Sequence, residues 1–291
     1  MKKMHLPVLL REVIEALSPR SGGIYIDATI GLGGHSEEIL RLIGHGGKLI
    51  GIDRDEEALK IVRKRLSDRR VILKSGNFSE MERLLHPHGI SDVDGILFDL
   101  GVSMLQLKNP ERGFSFISDE HLDMRMDRRQ EVSAWDVVNR YSEKELERIL
   151  KEFGEERLAR RIVKAIASYR SKKTIDTCSE LSKIVEGVYG RRGKLHPATK
   201  TFQALRIEVN RELDELRAGL DSSLRLLKRG GRLCVISYHS LEDRIVKNFI
   251  RDSVRQGFLM VITKKPVTPI PEELMVNPSS RSAKLRAAER I

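Results

Sequence analysis

Between residues 24 and 99, short apolar runs alternate with stretches whose apolar residues recur at helical spacing. Ile24 to Ala28 reads as a strand and Ser36 to Ile43 as a helix. Lys48 to Ile52 is a second strand, followed by Glu56 to Leu66, where Ala58, Leu59, Ile61, Val62 and Leu66 keep helical spacing. Val71 to Lys74 is a third strand and Gly95 to Asp99 a fourth, bounded by Asp92 and Asp94. Short apolar strands separated by helices predict an α/β fold: a mostly parallel, doubly wound sheet with helices on both faces.

The rhythm changes after Gly101. A polar, loop-like stretch from Asn109 to Asp127 precedes a long helical region from Trp135 to about Arg217, with helices expected at Glu143 to Phe153, Glu156 to Ser171 and Cys178 to Tyr189. Thr177 or Asp176 is placed to cap the last of these. Strand-like segments return only at Arg232 to Ser237 and Phe258 to Lys264. The expected organisation is therefore a discontinuous α/β core, 1–107 and 212–291, carrying a helical insert over 108–211 that is long enough to be a subdomain. A Pro- and Ser-rich tail, Pro266 to Ser282, ends near the basic Arg281, Lys284 and Arg286.

Composition adds two constraints. Hydrophobic residues are 40% and charged residues 33%, which suits a folded globular chain. No apolar run approaches bilayer length, and Met1 to Leu10 lacks the apolar core and cleavage site of a signal peptide, so a cytoplasmic protein with no membrane partner is expected. Cys178 and Cys234 lie far apart without a CxxC partner, so reduced thiols and no metal site are expected. The net charge of +11 points to a polyanionic partner, and its distribution is segregated. Arg157 to Ile175 holds seven Lys or Arg and no acid, including Arg160, Arg161, Lys164, Lys172 and Lys173. Gly187 to Ile207 is also acid-free, with Arg191, Arg192, Lys194, Lys200 and Arg206. His196, Lys200 and Arg206 are candidate phosphate contacts there, as are Arg160, Arg161 and Lys164 in the first stretch.

Candidate chemistry sits at the strand ends. A strand closing on Asp27, then Gly31, Gly33 and Gly34, then a helix, is a nucleotide-binding turn: glycines allow close backbone approach, and amides at the helix start face the ligand. Asp53 ends the next strand about twenty residues later, where a carboxylate accepts from ribose hydroxyls. This fits a dinucleotide or S-adenosylmethionine. Ser36 at the third glycine position of the dinucleotide fingerprint favours the second, as does Phe78, which offers either an aromatic face for adenine or core packing. The fourth strand ends in Asp99-Leu100-Gly101-Val102-Ser103, with Gln106 following. Asp99 is the candidate catalytic group, a carboxylate that accepts an N–H bond from a target amine; the alternative is a turn or helix cap. Tyr238 and His239 follow the strand Leu233 to Ile236 at the same carboxyl edge, and either touch the substrate or pack locally.

Several longer strings occur in order along nearly the whole chain. They include Met4-His5-Leu6-Pro7-Val8-Leu9-Leu10, the Asp27–Ser36 turn, and Phe98 to Ser103 with Gln106. Gly113-Phe114-Ser115-Phe116, Leu122-Asp123-Met124-Arg125-Met126-Asp127 and His196 through Arg206 follow, then Ser237 through Arg244 and Arg281 through Arg286. Together they resemble the bacterial ribosomal small-subunit RNA (cytosine-N4) methyltransferase family (RsmH, also called MraW). The resemblance implies a class I, Rossmann-like S-adenosylmethionine-dependent core with a helical insert, and N4-methylation of a cytidine in the decoding region of 16S ribosomal RNA. It also implies that Gly33, Gly34, His35, Asp53, Phe78, Asp99 and Gln106 line the cofactor pocket. The expected partner is 16S RNA or the small ribosomal subunit; a homodimer is allowed. His5 faces either the active site or its own local packing, and Asp123, Arg125 and Asp127 either form an ion-pair lattice or touch RNA. Two rival functions remain: an NAD-dependent oxidoreductase, favoured by the glycine turn and Asp53, and a non-catalytic RNA-binding module.

Overall fold

The structure is a computed structural model that describes residues 7–190 and 196–291. The chain divides into two compact units, Met1–Gly101 with Leu213–Ile291, and Val102–Glu212. The first begins α1 (Leu10–Leu17), β1 (Ile24–Asp27), α2 (Gly34–Leu42), β2 (Lys48–Asp53), α3 (Glu56–Arg65), β3 (Val71–Ser75), α4 (Met81–Leu85) and β4 (Val93–Asp99). Next come α5 (Met104–Lys108), α6 (Ala134–Arg140), α7 (Glu143–Glu152), α8 (Ala159–Arg170), α9 (Cys178–Tyr189) and α10 (Thr199–Asn210). The chain then returns with α11 (Glu212–Leu226), β5 (Leu227–Ser237), α12 (Ser240–Arg255), β6 (Leu259–Val261), α13 (Pro271–Val276) and β7 (Lys284–Arg290).

In the first unit seven strands form one sheet in the order β3-β2-β1-β4-β5-β7-β6. Strands β1 to β5 pair in parallel, and β7 runs antiparallel between β5 and β6. The alternation of the central strands explains why both faces are apolar. Ile26, Ile50, Ile96, Phe98 and Val235 belong to one core with Leu216, Leu220, Val246 and Ile250. Tyr25, Leu49, Leu97, Cys234 and Ile236 belong to another with Val13, Leu17, Ile39 and Ile43. Such a sheet reads as near-continuous apolar runs because helices cover both sides.

The strand β7 departs from expectation. Residues 281–286, read as a basic tail, enter the sheet: Arg286 lies opposite Val235, and Glu289 opposite Arg232. Its charges are spent internally, with Arg286 Nε donating to Asp243 Oδ1 at 2.7 Å and Arg232 Nε to Glu289 Oε2 at 3.0 Å. Lys-Leu-Arg-Ala-Ala-Glu-Arg has weak intrinsic strand propensity, so its conformation comes from pairing on both sides.

The second unit is helical around Leu122, Met124, Val137, Leu146, Ile149, Ile162, Ile166, Leu181 and Leu205. Thr177, rather than Asp176, caps α9, in a reciprocal box with Glu180. The helix expected from Glu156 starts instead at Ala159. Glu155 takes a positive φ of 47°, and the buried Glu156 carboxylate accepts from Leu158 N at 2.9 Å and from the Tyr189 hydroxyl at 2.7 Å. Asp123 and Asp127 form ion pairs with Arg125 at 2.6 Å and Arg129 at 2.8 Å, which supports the lattice alternative for this segment. None of the described helices is long and apolar enough to cross a membrane.

Candidate active site

The carboxyl ends of β1, β2 and β4 each carry an aspartate: Asp27, Asp53 and Asp99. Parallel register brings these ends to one edge, since Asp27 lies opposite Gly51 and Leu97. Asp27 is buried; its Oδ2 accepts from Ser36 Oγ at 2.7 Å, which ties β1 to the first turn of α2. Ser36 thus has a structural task at the place where a dinucleotide fingerprint carries a small residue for close packing. Burial raises the Asp27 carboxyl to about 6.

Between these two residues the chain turns on Gly31 and Gly33, with φ of 49° and 79°. At Gly33 a Cβ would stand 2.7 Å from Val62 Cγ2 as well as in the left-handed region, so only glycine fits without displacement. Asp53 holds the turn from the neighbouring strand: Oδ2 accepts from Gly31 N at 2.8 Å and Oδ1 from Asp55 N at 2.9 Å. Each carboxylate oxygen keeps a second lone pair for a ligand hydroxyl. Burial raises this carboxyl too.

His35 lies in the first turn of α2 and is only 5% exposed. Its Nε2 is 2.9 Å from the Val8 carbonyl, and burial lowers the imidazole below its ordinary range. A carbonyl only accepts, so the neutral ring carries its proton on Nε2 and presents Nδ1 as an acceptor. That Nδ1 is 3.8 Å from Asp99 Oδ2. Asp99 Oδ1 accepts from the Tyr238 hydroxyl at 2.7 Å, and its main-chain N–H donates to Thr29 Oγ1 at 2.6 Å. Burial pushes the Asp99 carboxyl up to about 7 against the opposing Tyr238 bond, and nearby Glu242 adds to the rise. The sequence placed Asp99, His35 and Tyr238 at one edge, but the Tyr238–Asp99 bond spans 139 positions and leaves no local signal.

Other candidates fall elsewhere. Phe78 is 7% exposed and packs edge-on against Phe98 with centroids 5.4 Å apart, so its ring contributes to the core rather than an open aromatic face. His239 caps α12 in a reciprocal box with Glu242. Gln106, in the second unit, is buried and closes a capping box with Ser103 at the start of α5. In the same unit His196 faces Glu186 at 3.0 Å and stacks on Phe116, while Lys200 Nζ donates to the Glu155 carbonyl at 2.9 Å. Arg206 makes a two-pronged pair with Glu212 at 2.8 and 2.9 Å, which commits its guanidinium inside the unit. Arg157, Arg160, Arg161 and Lys164 are exposed at the start and along one side of α8, and Arg161 also donates to Val188 O at 3.3 Å. His5, Arg191, Arg192 and Lys194 lie outside the described residues.

The chemistry of this edge is acidic and rich in acceptors. Three carboxylates raised by burial and a neutral histidine with a bare Nδ1 favour a ligand that brings positive charge, N–H and O–H groups. A dinucleotide would instead bring a pyrophosphate, an anion, to these acids. The sheet also differs from the dinucleotide order 3-2-1-4-5-6 by the insertion of antiparallel β7.

Comparison with known proteins agrees with this reading. The profile of the MraW methylase family matches residues 2–291. A "Ribosomal RNA small subunit methyltransferase H" of Persephonella marina is 52% identical over 292 residues, covering 99% of each chain. The protein of the same name from Caldicellulosiruptor bescii is 50% identical over 304 residues, again covering 99% of each. A solved structure described as a "putative rRNA-methylase" from Clostridium thermocellum shares the fold, with a TM-score of 0.50 at 15% identity, covering 99% of this chain and 100% of that one.

Proposed function

We infer the reaction from the fact that this chain belongs to the MraW methylase family: it is an S-adenosylmethionine-dependent methyltransferase that methylates N4 of a cytosine in 16S ribosomal RNA. The observation that carries the reading is the Asp27–Asp53–Asp99 edge with His35, whose acidity suits a sulfonium- and ammonium-bearing cofactor. S-adenosylmethionine supplies an electrophilic methyl group on a positively charged sulfur. The chain's own residues bind and orient. Gly33 and Gly34 form the turn, Asp53 accepts from the ribose hydroxyls, and His35 and Asp99 stand beside them; the family pattern also implies Gln106 and Phe78, although the Phe78 ring packs edge-on against Phe98.

An aromatic exocyclic amine is a poor nucleophile because its lone pair is delocalised. With Oδ1 taken by Tyr238, Asp99 offers Oδ2 to an amine N–H. That bond favours pyramidalisation, directs the nitrogen lone pair at the methyl group, and gives the released proton an acceptor matched to neutral pH. Positioning in a water-poor site supplies most of the acceleration. The cytidine belongs to the decoding region, the assembled small subunit or its RNA is the partner, and the enzyme works in the cytoplasm as a monomer or homodimer. Mapping methylated cytidines in 16S RNA from cells with and without this protein tests the assignment. One N4-methylcytidine should disappear with the protein; an unchanged map would sink it.

The exposed basic side of α8 supplies the RNA-binding surface in this reading. Reversing Arg160, Arg161 and Lys164 to Glu should weaken RNA binding and flatten its salt dependence by roughly one log–log unit for each phosphate no longer neutralised. Thermal stability should hold, because these side chains face solvent. Affinity that stays unchanged across salt would instead assign the patch to an ordinary solvated helix face.

A further inference from the structure

We propose that Tyr238 is a positioning residue for methyl transfer: its hydroxyl holds Oδ1 of Asp99 and thereby turns Oδ2 towards the incoming amine. The inference rests on the Asp99 reading above and goes beyond it by assigning the group that aims and ionises the carboxylate.

Tyr238 stands where β5 ends and α12 begins, and three independent contacts fix it. Its main-chain N–H donates to Glu242 Oε2 at 2.8 Å, so the first turn of α12 pins the backbone. Its ring lies against Gly101, whose φ is 94° and where a Cβ would stand 3.4 Å from Tyr238 Cδ2. The ring also packs against the core that contains Leu97 and Ile236. The hydroxyl that emerges from this setting donates to Asp99 at 2.7 Å. A residue seated this firmly has little freedom to stack on an extruded base, and its one polar atom is already committed.

The bond settles which oxygen of Asp99 does what. A carboxylate with two free oxygens can rotate and offer either one; with Oδ1 anchored its plane is fixed, and Oδ2 is turned away from Tyr238 with both its lone pairs for a second donor. Oδ2 faces the acceptor Nδ1 of His35 at 3.8 Å, and two acceptors at that separation suit an N–H donor placed between them. The hydroxyl also acts on ionisation. Burial, Glu242 on α12 and Asp27 on β1 all disfavour a charge on Asp99, while neutral His35 on α2 contributes no positive charge. Glu273 on α13 adds negative potential around Tyr238 and His35. Against these groups the Tyr238 bond favours the ionised, accepting form of Asp99. Burial and the neighbouring acids keep the phenol itself protonated, and so a donor.

Tyr238→Phe removes the hydroxyl and keeps the ring. Single-turnover methylation of 16S RNA in small subunits, followed from pH 6 to 9, should fall about 10- to 100-fold at pH 7, the loss expected for a charge-assisted hydrogen bond. The acid limb should move to higher pH, because Asp99 without its donor ionises later, and the rate should recover towards wild type by pH 9. Affinity for S-adenosylmethionine and the melting temperature should change little. An unshifted pH profile overturns the proposal, and so does an equal loss at every pH, which would mean that Tyr238 acts through packing or base contact. Asp99→Asn measured alongside keeps the two readings apart. If that variant methylates normally at every pH, the role of Asp99 fails whatever Tyr238→Phe shows; if it is inactive while Tyr238→Phe is unshifted, only the present inference fails.

Discussion

Asp99→Asn is expected to lower methyl transfer by about 10²- to 10³-fold, in the range seen when one preorganised polar partner of a transition state is lost. Asparagine keeps the shape and its Oδ1 can still accept from Tyr238, so folding and the local packing persist. What it loses is the negative charge on Oδ2 that accepts the amine N–H and then its proton. In the wild-type enzyme the same group predicts the pH dependence. With the carboxyl raised to about 7, the active ionised fraction grows between pH 6 and 8, so the rate should climb through that window and level off above it. A flat profile from pH 5.5 to 8.5 in single-turnover experiments would remove Asp99 from the chemical step.

The same substitution should move stability in the opposite direction. A carboxyl whose folded value lies near 7, against an ordinary 3.8, favours the native state fully only at low pH, and that contribution is lost as pH rises through 7. At about 1.4 kcal/mol per pH unit, the wild-type protein without cofactor carries at most roughly 4 kcal/mol of destabilisation from Asp99 above pH 8. Asparagine does not titrate and escapes it. The variant should therefore melt higher than wild type at pH 8, with the difference shrinking towards pH 4. Asp27, raised to about 6 by burial and in part by Asp99, should ionise more readily in the variant, which adds to the variant's advantage at pH 8. A less active yet more stable variant is the signature of a charge placed for function in a site that folding alone would leave neutral.

How far such a site can be read from sequence depends on how local its determinants are. The parallel core was legible because β1 to β4 are apolar runs covered on both faces, and their ends are marked by Asp27, Asp53 and Asp99. The glycine turn was legible because positive φ restricts residue choice. Features set by distant partners were not. The strand β7 is alanine- and charge-rich and owes its conformation to neighbours on both sides. Phe78 has the right position for an adenine contact, but the direction of its ring is decided by Phe98 and by the opening at Gly219. Arg206 sits in a basic, acid-free stretch, yet Glu212, just beyond that stretch, neutralises it. Charge counted along the chain therefore overstated the free basic surface there, while on α8 the exposed arginines and lysine remain available.

The segment from Arg112 to Asp127 shows the same limit most sharply, and Gly113→Ala should be the most destabilising small substitution in the second unit. The stretch is irregular, as its polar sequence predicts, but it is not a surface loop. Phe114, Leu122, Met124 and Met126 enter the core, and Arg112, only 1% exposed, donates to the carbonyls of Arg125 and Met126. Asn210 closes the arrangement, accepting from Met126 N and donating to Met124 O, each at 2.8 Å. Aperiodic burial held by side-chain-to-backbone bonds leaves no repeating pattern to detect. At its start Gly113 has φ of 68°, and a Cβ there would stand 2.6 Å from both Asp123 N and His121 O. Those atoms cannot retreat: Ala134 N bonds Asp123 O at 2.7 Å, Trp135 N bonds Leu122 O at 2.7 Å, and Leu122 N bonds Asp176 O at 3.0 Å. The left-handed conformation alone costs alanine about 1–2 kcal/mol. Relieving two backbone clashes should bring the total to about 3 kcal/mol or more, read as a lower midpoint in denaturant unfolding. Gly187→Ala is the matched control, because Gly187 lies within α9 and an added methyl group there would meet nothing within 4 Å. That change should be neutral or stabilise by up to about 1 kcal/mol. Similar midpoints for the two variants would mean that the 112–127 segment yields readily and does not anchor the core of its unit.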